Sequence, residues 1–341
     1  MGVILEPSEG SFDSGGSTFG CAFVDEQDPD TTYLYYSGSE DKKWSHAAIG
    51  LAISYDGQQF KKLSKLNPII DGKTDEFNSS ESLTPAVVRL RNRYYMFFAA
   101  SRSRSMFLAH RKRIAVAWAD DPTGPWQTLG VIAKPEMYWE GWGIDLGPSV
   151  VKLNEGEVLL YYSNSSNKKP LDTILGPGYW YRSIGILRVK INSPKSVEAL
   201  KYQGNPLNHL QGGRGSPSES LFCPGYLWLE GKHWLLPTMS AYSVGFPYRQ
   251  YVGVAWNDDP YFGGSRIVSV IIDGHAEKES VLPGAVSELA LDTPSPVLRG
   301  DKLYAYYSVM DRHDGIWKTA LSIIDQESVG RLARTTGQLH P

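Results

Sequence analysis

The stretch Gly147-Pro-Ser-Val-Val151, followed by Leu159-Leu-Tyr-Tyr-Ser163, decides how this chain folds. A small residue and a proline open an apolar β-branched run, a polar turn follows, and an aromatic-rich run closes on a hydroxyl. The same grammar recurs in Cys21-Ala-Phe-Val24 with Tyr33-Leu-Tyr-Tyr-Ser37, and in Thr84-Pro-Ala-Val-Val88 with Tyr94-Tyr-Met-Phe-Phe-Ala-Ala-Ser101. It recurs again in Cys223-Pro-Gly-Tyr-Leu227 with His233-Trp-Leu-Leu-Pro-Thr238, and in Thr293-Pro-Ser-Pro-Val297 with Tyr304-Ala-Tyr-Tyr-Ser308. The closing hydroxyls lie 64, 62, 75 and 70 residues apart, a period near 68 that fits about five times into 341 residues.

Between these copies runs a second pattern of alternating small and large residues. It reads Ile49-Gly-Leu-Ala-Ile-Ser54, Ile114-Ala-Val-Ala-Trp118, Ile184-Gly-Ile-Leu-Arg-Val189, Val252-Gly-Val-Ala-Trp256 and Thr319-Ala-Leu-Ser-Ile323. Turn signals follow it: Tyr-Asp-Gly at 55–57 and Asp-Asp-Pro at 120–122 and 258–260. Short β-rich runs at regular spacing, punctuated by 34 Gly and 21 Pro, predict an all-β chain. No window carries a helical stripe. Repeats of this length hold four strands each, so the expected architecture is a single five-bladed β-propeller domain over residues 1–341, with four-stranded blades around a central channel. The inner hairpins fall near 21–37, 84–101, 147–163, 223–238 and 293–308. A two-domain sandwich leaves the repeat unexplained.

Composition narrows the function. Lys and Arg number 34 against 37 Asp and Glu, a net charge of −3, which argues against a nucleic-acid partner. The two cysteines are too few for a disulfide scaffold, and no His/Cys cluster indicates zinc. No apolar run approaches the 18 or so residues of a membrane span. The first residues carry neither the basic nor the apolar region of a secretion signal, so a cytoplasmic location is the default expectation. The oligomeric state is not legible.

In a propeller the innermost strands surround the channel and their starting residues line one mouth of it. Reactive side chains are therefore expected just before and within the proline-containing motifs. The run Gly10-Ser-Phe-Asp-Ser-Gly-Gly16, then Tyr33-Leu-Tyr-Tyr-Ser-Gly38, Ala48-Ile-Gly-Leu-Ala-Ile-Ser-Tyr-Asp-Gly57 and Asn67-Pro-Ile-Ile70, resembles the five-bladed propeller glycosidases. These are the arabinanase/xylosidase group and its invertase-like and levansucrase-like relatives. The resemblance implies three channel carboxylates: a base or nucleophile, a pKa-tuning Asp and a general-acid Glu, commonly placed just before a proline. Here those places read Gly20-Cys21, Thr84-Pro85, Gly147-Pro148, Cys223-Pro224 and Thr293-Pro294, and none is acidic.

Acids do stand slightly upstream, at Asp13, Glu81, Asp145, Glu219, Glu288 and Asp292. Glycoside hydrolysis needs one carboxyl protonated and one ionised. Crowding carboxylates in a funnel drives their pKa values apart. The expected catalytic pair is Asp145 and Glu219, supported by Glu81 and Asp292, although each acid has a plainer use as a turn cap. Asp13 and Glu140 sit at matching offsets, Phe12-Asp and Trp139-Glu. Candidate substrate-binding groups are Asp13, Arg102, Trp142, Trp180, Tyr242, Arg249 and His313.

Arg102 and Arg249 (with Arg104, Tyr242 and Tyr248 nearby) suit an anionic ligand, or are ordinary solvated loop residues. The run Arg102 to Arg113 reads as an exposed basic loop. Trp139, Trp142, Tyr179, Trp180 and Tyr181 offer flat faces to a sugar ring, or pack in the core. His46 and His313 are channel candidates, and Cys21 and Cys223 read as small buried residues. The aspartate doublets at 120–121 and 258–259 read as structural.

The expected function is a glycoside hydrolase-like enzyme acting on a small glycoside or oligosaccharide, without a cofactor, though a structural channel ion such as calcium is compatible with the resemblance. The alternatives are a non-catalytic sugar-binding propeller and a biosynthetic enzyme of different chemistry on the same scaffold.

Overall fold

A computed structural model describes residues 2–71, 81–101, 112–165, 182–241, 250–267, 269–273, 291–310 and 314–336. Strand β1 (Val3–Leu5) is followed by the meander β2 (Gly16–Asp25), β3 (Asp28–Ser39) and β4 (Ala47–Ser54), with β5 (Lys61–Lys62) and β6 (Ile70–Asp71) along the edge of β4. Next come β7 (Glu81–Leu90), β8 (Arg93–Ser101), β9 (Arg113–Ala119) and β10 (Gln127–Ala133). The third meander is β11 (Ile144–Asn154), β12 (Glu157–Asn164), β13 (Ile184–Ser193) and β14 (Ser196–Lys201). The fourth is β15 (Ser220–Leu229), β16 (Lys232–Ser240), β17 (Gln250–Asn257) and β18 (Ser269–Asp273). The last is β19 (Leu291–Arg299), β20 (Lys302–Met310) and β21 (Trp317–Asp325), running into helix α1 (Gln326–Thr336).

Both sequence patterns are strands, and the aromatic one is the second strand of each hairpin. Its tyrosines at 35, 161 and 306 are fully buried, and their hydroxyls need acceptors. Tyr35 donates to the Pro122 carbonyl at 2.8 Å, Tyr161 to Pro260 at 2.5 Å and Tyr306 to Gly57 at 2.8 Å. Each acceptor is a turn of the following meander, which accounts for the recurring Asp-Gly and Asp-Asp-Pro signals. The doublets are structural as read. Asp121 accepts the Thr123 amide and Asp259 the Tyr261 amide, while Asp120 and Asp258 meet Arg93 and Lys232.

The closing hydroxyls fasten neighbouring meanders near the axis. Four of the five first strands bulge where a non-glycine residue takes a positive φ, at Phe19, Thr84, Cys223 and Thr293, and β11 bulges after Leu146 without one. Ser37 accepts the Thr84 amide at 3.0 Å, Ser163 the Cys223 amide at 3.4 Å and Thr238 the Thr293 amide at 3.1 Å. Ser308 accepts the Phe19 amide at 2.9 Å, which returns the chain to its beginning. The second copy departs from expectation. The residue opposite Leu83 at this register is Ala99, and Ser101 pairs two residues further on, with Glu81. With no hydroxyl available, the Leu146 amide bonds instead to the adjacent Asp145 side chain.

Packing runs around the same circle. Successive apolar clusters unite the first and second meanders through Tyr35 and Phe98, the second and third through Phe97 and Leu160, and the third and fourth through Tyr161 and Leu235. The fourth joins the last through Trp234 and Leu303, and the last joins the first through Tyr306 and Leu34. Strand β1 pairs antiparallel with β21, so residues near the amino end complete the final meander and lock the ring. Glycines mark where inner strands nearly touch: a Cβ on Gly147 would lie 2.3 Å from the Pro224 carbonyl oxygen, and one on Gly225 2.1 Å from that of Pro294. The fold is nearly all-β and propeller-like.

Helix α1 corrects the expectation of no helical segment. It buries Val329 in the cluster of Leu229 and Trp234 and is too short to give a long stripe in the sequence. Among the described residues no helix is long and apolar enough to cross a membrane.

Candidate active site

In each meander the first strand starts at one mouth of the ring, and the turn between its two strands lies at the other end. The mouth therefore collects the strand starts Glu81, Asp145, Ser220 and Asp292. It also collects residues 40–46, and Lys112, Ser165 and Arg182 beside the strand ends.

Asp145 is the centre of a buried cluster. Lys112 Nζ stands 2.7 Å from its Oδ2, and Oδ1 accepts the Thr84 hydroxyl at 3.1 Å and the Leu146 amide at 3.0 Å. Burial works to raise its pKa, but the Lys112 charge and hydrogen bond, helped by the more distant Arg182, hold it below the usual carboxylate value. Lys112 is itself largely covered, which favours its neutral form, yet Asp145 and Glu81 together keep its pKa above that of a free lysine. The end of the expected basic loop is thus an interior cation.

Glu81 is 7% exposed and begins β7 beside Asp145 and Lys112. Its Oε2 has no hydrogen-bond partner among the described residues. Burial, opposed by Lys112 and reinforced by Asp145, pushes its pKa up to about 7. Near neutrality this carboxyl holds its proton much of the time while Asp145 is ionised.

Asp292 occupies the position in β19 that Asp145 occupies in β11. Its Oδ1 accepts the Thr238 hydroxyl at 3.1 Å and the Thr293 amide at 2.7 Å. Burial raises its pKa, Arg182 opposes this, and Asp145 adds to it. The Arg182 guanidinium lies 4.7 Å from the Phe222 ring centre, its main-chain N–H donates to Ser220 Oγ at 2.8 Å, and its charge reaches both aspartates. Cys223, fully buried, faces the same group of charges, and burial pushes its thiol well up. Burial likewise pushes the Cys21 thiol to about 12, so neither cysteine is a ready thiolate.

Glu219 is buried, and its Oε2 accepts the Gly215 amide at 3.0 Å. Register explains why it differs from Glu81 despite the shared Glu-Ser-Leu. Glu81 pairs with Ser101 two steps before the bulge, and the equivalent pair in the fourth meander is Ser220 with Ser240. Glu219 is therefore one residue out of step, and successive strand residues face opposite sides.

Asp13 is placed away from this cluster. It lies over β3 and β4, is bonded by Ser11 and ion-paired with Lys62, and acts with its neighbours on the Tyr36 hydroxyl. Glu140 repeats the arrangement in the third meander: Lys201 is 2.7 Å away, the Tyr162 hydroxyl donates at 2.7 Å, and Asn205 reaches that hydroxyl as Asn67 reaches Tyr36. The matching offsets seen in the sequence are a duplicated buried brace.

Trp139 belongs to the brace and packs on Tyr162, whereas Trp142 is 51% exposed near the mouth. His46 pairs with Asp71 at 2.9 Å. Arg102, Arg104, Tyr179, Trp180, Tyr181, Tyr242, Tyr248, Arg249, Glu288 and His313 lie outside the described residues. Sequence reasoning passed over Lys112 and Arg182, whose only signal is that each ends a long connection entering a strand. It also passed over the aromatic group Phe19, Trp44 and Trp317, with Phe19 5.3 Å from Trp44 and 4.9 Å from Trp317. Trp44 packs on Ala47, Leu83 and Ala99, and Ala47 bridges to Glu81, so this group borders the carboxyls. Among the described residues no three His, Cys, Asp or Glu side chains converge to hold a metal ion.

Residues 23–179 match the model of glycosyl hydrolases family 43. Among solved structures, a family 117 glycoside hydrolase from Zobellia galactanivorans is similar at 14% identity and a TM-score of 0.63, covering 96% of this chain and 89% of that one. An exo-1,5-α-L-arabinanase from a bovine ruminal metagenomic library is similar at 10% identity and 0.58, covering 91% and 93%. A GH43_1 enzyme from Xanthomonas citri, complexed with xylotriose, is similar at 15% identity and 0.58, covering 95% and 93%. No curated protein matches the chain. These likenesses establish the fold, the one that these glycoside hydrolases share.

Proposed function

We propose that this chain is a single-domain, five-bladed propeller that hydrolyses a glycoside or short oligosaccharide with Glu81 and Asp145 as its working carboxyls. One observation carries the assignment: two buried acids share one lysine, and their surroundings drive them to opposite protonation states. Glu81 gives its proton to the leaving oxygen as the bond to the anomeric carbon breaks. Asp145 takes a proton from the water whose oxygen forms the new bond. Glu81 thus fills the role first expected of Glu219, while Asp292 and Arg182 complete the polar wall. Phe19, Trp44 and Trp142 supply ring-stacking surface, and Arg102, Trp180, Tyr242, Arg249 and His313 remain candidates for further contacts. The xylotriose bound by one structural neighbour supports an oligosaccharide ligand.

The test is a panel of aryl glycosides and short oligosaccharides assayed with wild type, Glu81→Gln, Asp145→Asn and Glu219→Gln. Loss in the first two variants, with Glu219→Gln near wild type, is the expected result. Loss confined to Glu219→Gln would return the proton donor to that residue. A sugar-binding protein without hydrolysis is the second reading, favoured by the Gly, Thr and Cys residues that stand before the prolines. Calorimetric binding of an oligosaccharide that the wild type never cleaves would establish it.

A further inference from the structure

We propose that Lys112 is a positioning residue that holds the negative charge on Asp145 before reaction and stays beside that charge as it passes to Glu81. This rests on the hydrolase reading of the same site. The geometry comes first. Lys112 immediately precedes β9, and its carbonyl accepts the Ile144 amide at 3.0 Å, so its backbone is tied to the strand that carries Asp145. Its ammonium lies 2.7 Å from Asp145 Oδ2 and is 17% exposed, while Thr84 and the Leu146 amide occupy Oδ1. Asp145 is therefore held at both oxygens, and Lys112 is its only ion-pair partner within 4 Å among the described residues.

The charged and titratable groups facing Lys112 are Asp145 on β11, Glu81 on β7 and Cys223 on β15. Arg182, ahead of β13, and Asp292 on β19 face Asp145 from the far side. A largely covered cation that acts on two carboxyls favours one negative charge beside it, and direct contact with Asp145 decides where that charge rests.

In the hydrolytic step the water proton goes to Asp145 and the Glu81 proton goes to the leaving oxygen. The negative charge passes from Asp145 to Glu81 with no net change in the cluster. Lys112 faces both sites, so the charge stays beside the same cation throughout. Without it, Asp145 binds its proton more tightly in the resting enzyme, and the Glu81 carboxylate is left buried without compensation after transfer.

The experiment titrates full-length protein with ¹³C-labelled Asp and Glu carboxyls by NMR, for wild type, Lys112→Met and Lys112→Arg. Glu81→Gln and Asp145→Asn serve to assign the signals. In Lys112→Met both carboxyls are expected to titrate higher by about one pH unit or more, with Lys112→Arg restoring most of the shift. The acid limb of the kcat/KM profile on an aryl glycoside should move upward with Asp145. Titrations of Lys112→Met that overlay those of wild type overturn the proposal. So does a wild-type Asp145 titrating at or above the ordinary carboxylate value, a result that holds even if Lys112→Met does not fold. Shifted titrations in a protein that cleaves no glycoside support the charge coupling and refute the hydrolase reading. Activity that depends on Glu81 alongside unmoved titrations refutes this inference alone.

Discussion

Asp145 and Asp292 hold the same register position in two inner strands. One stands opposite Ser163 and the other opposite Ser308, and each folds Oδ1 back onto the amide of the following residue. Among the described residues only Asp145 has a lysine at hydrogen-bond distance, and its pKa falls while burial raises that of Asp292. The repeat duplicated the position, and a side chain from a neighbouring connection made the two copies chemically different.

The first prediction follows for catalysis. Glu81→Gln and Asp145→Asn should each lower kcat by about 10²–10⁴-fold, as expected for loss of a positioned acid or base. Glu219→Gln should lower it by less than about tenfold, because Glu219 bonds to its own turn. Steady-state rates on the best aryl glycoside check both statements.

Stability should carry the mark of Glu81. Its folded pKa, about 7, lies above the unfolded value of 4.5, so the stability linked to it is complete below pH 4.5 and is lost as pH rises through 7. Relative to Glu81→Gln, wild type should lose up to roughly 3 kcal/mol across that window. Urea melts at pH 5 and pH 8 test this, and parallel losses in both proteins would refute it.

The duplicated brace gives a prediction separate from catalysis. Lys62→Met leaves Asp13 buried without its cation and should cost about 3–5 kcal/mol, as should Lys201→Met at Glu140. Pairing Lys62→Met with Asp13→Asn should recover part of that loss, measurable as a double-mutant cycle in urea.

Close approach of the inner strands predicts intolerance at Gly225. A methyl there would lie 2.1 Å from the Pro294 carbonyl oxygen, within backbone that cannot step aside, so Gly225→Ala should destabilise by about 3 kcal/mol or more, or fail to fold. Gly231→Ala meets nothing within 4 Å and suffers only the strain of a φ of +73°, about 1–2 kcal/mol. Thermal melts of the two variants distinguish crowding from backbone strain.

The aromatic group beside Glu81 should act on binding. Trp44→Ala is expected to raise KM by about tenfold, some 1.4 kcal/mol, with a smaller change in kcat. An unchanged KM would remove Trp44 from the substrate surface.

Much of the ring was legible because its cause is local and repeated. Alternating strands recur with every meander, paired tyrosines before the closing hydroxyl with three and Asp-Asp-Pro turns with two, and three of the tyrosines bond a turn of the next meander in the same way. Helix α1 escaped notice because its apolar stripe, Val329, Leu332 and Ala333, is too short to stand out in the sequence. Ser101 was taken as the closing hydroxyl because composition pointed there. The same bulge occurs in the other copies, and register alone shows that Ala99, two residues before Ser101, holds that place.

The acids were visible as residue types just ahead of the prolines, and the matching offsets of Asp13 and Glu140 were visible too. Whether an acid is a brace, a turn cap or a reactive group depends on which cation reaches it. Lys62 reaches Asp13, Lys201 reaches Glu140 and Lys112 reaches Asp145, each from a strand or connection far along the chain. The amino-acid sequence by itself determined the repeating strand, and with it the ring that gathers the strand starts at one mouth. Tertiary structure alone decided which carboxyl keeps its proton, because burial and the distance to a charge belong to the folded arrangement and have no trace in residue spacing.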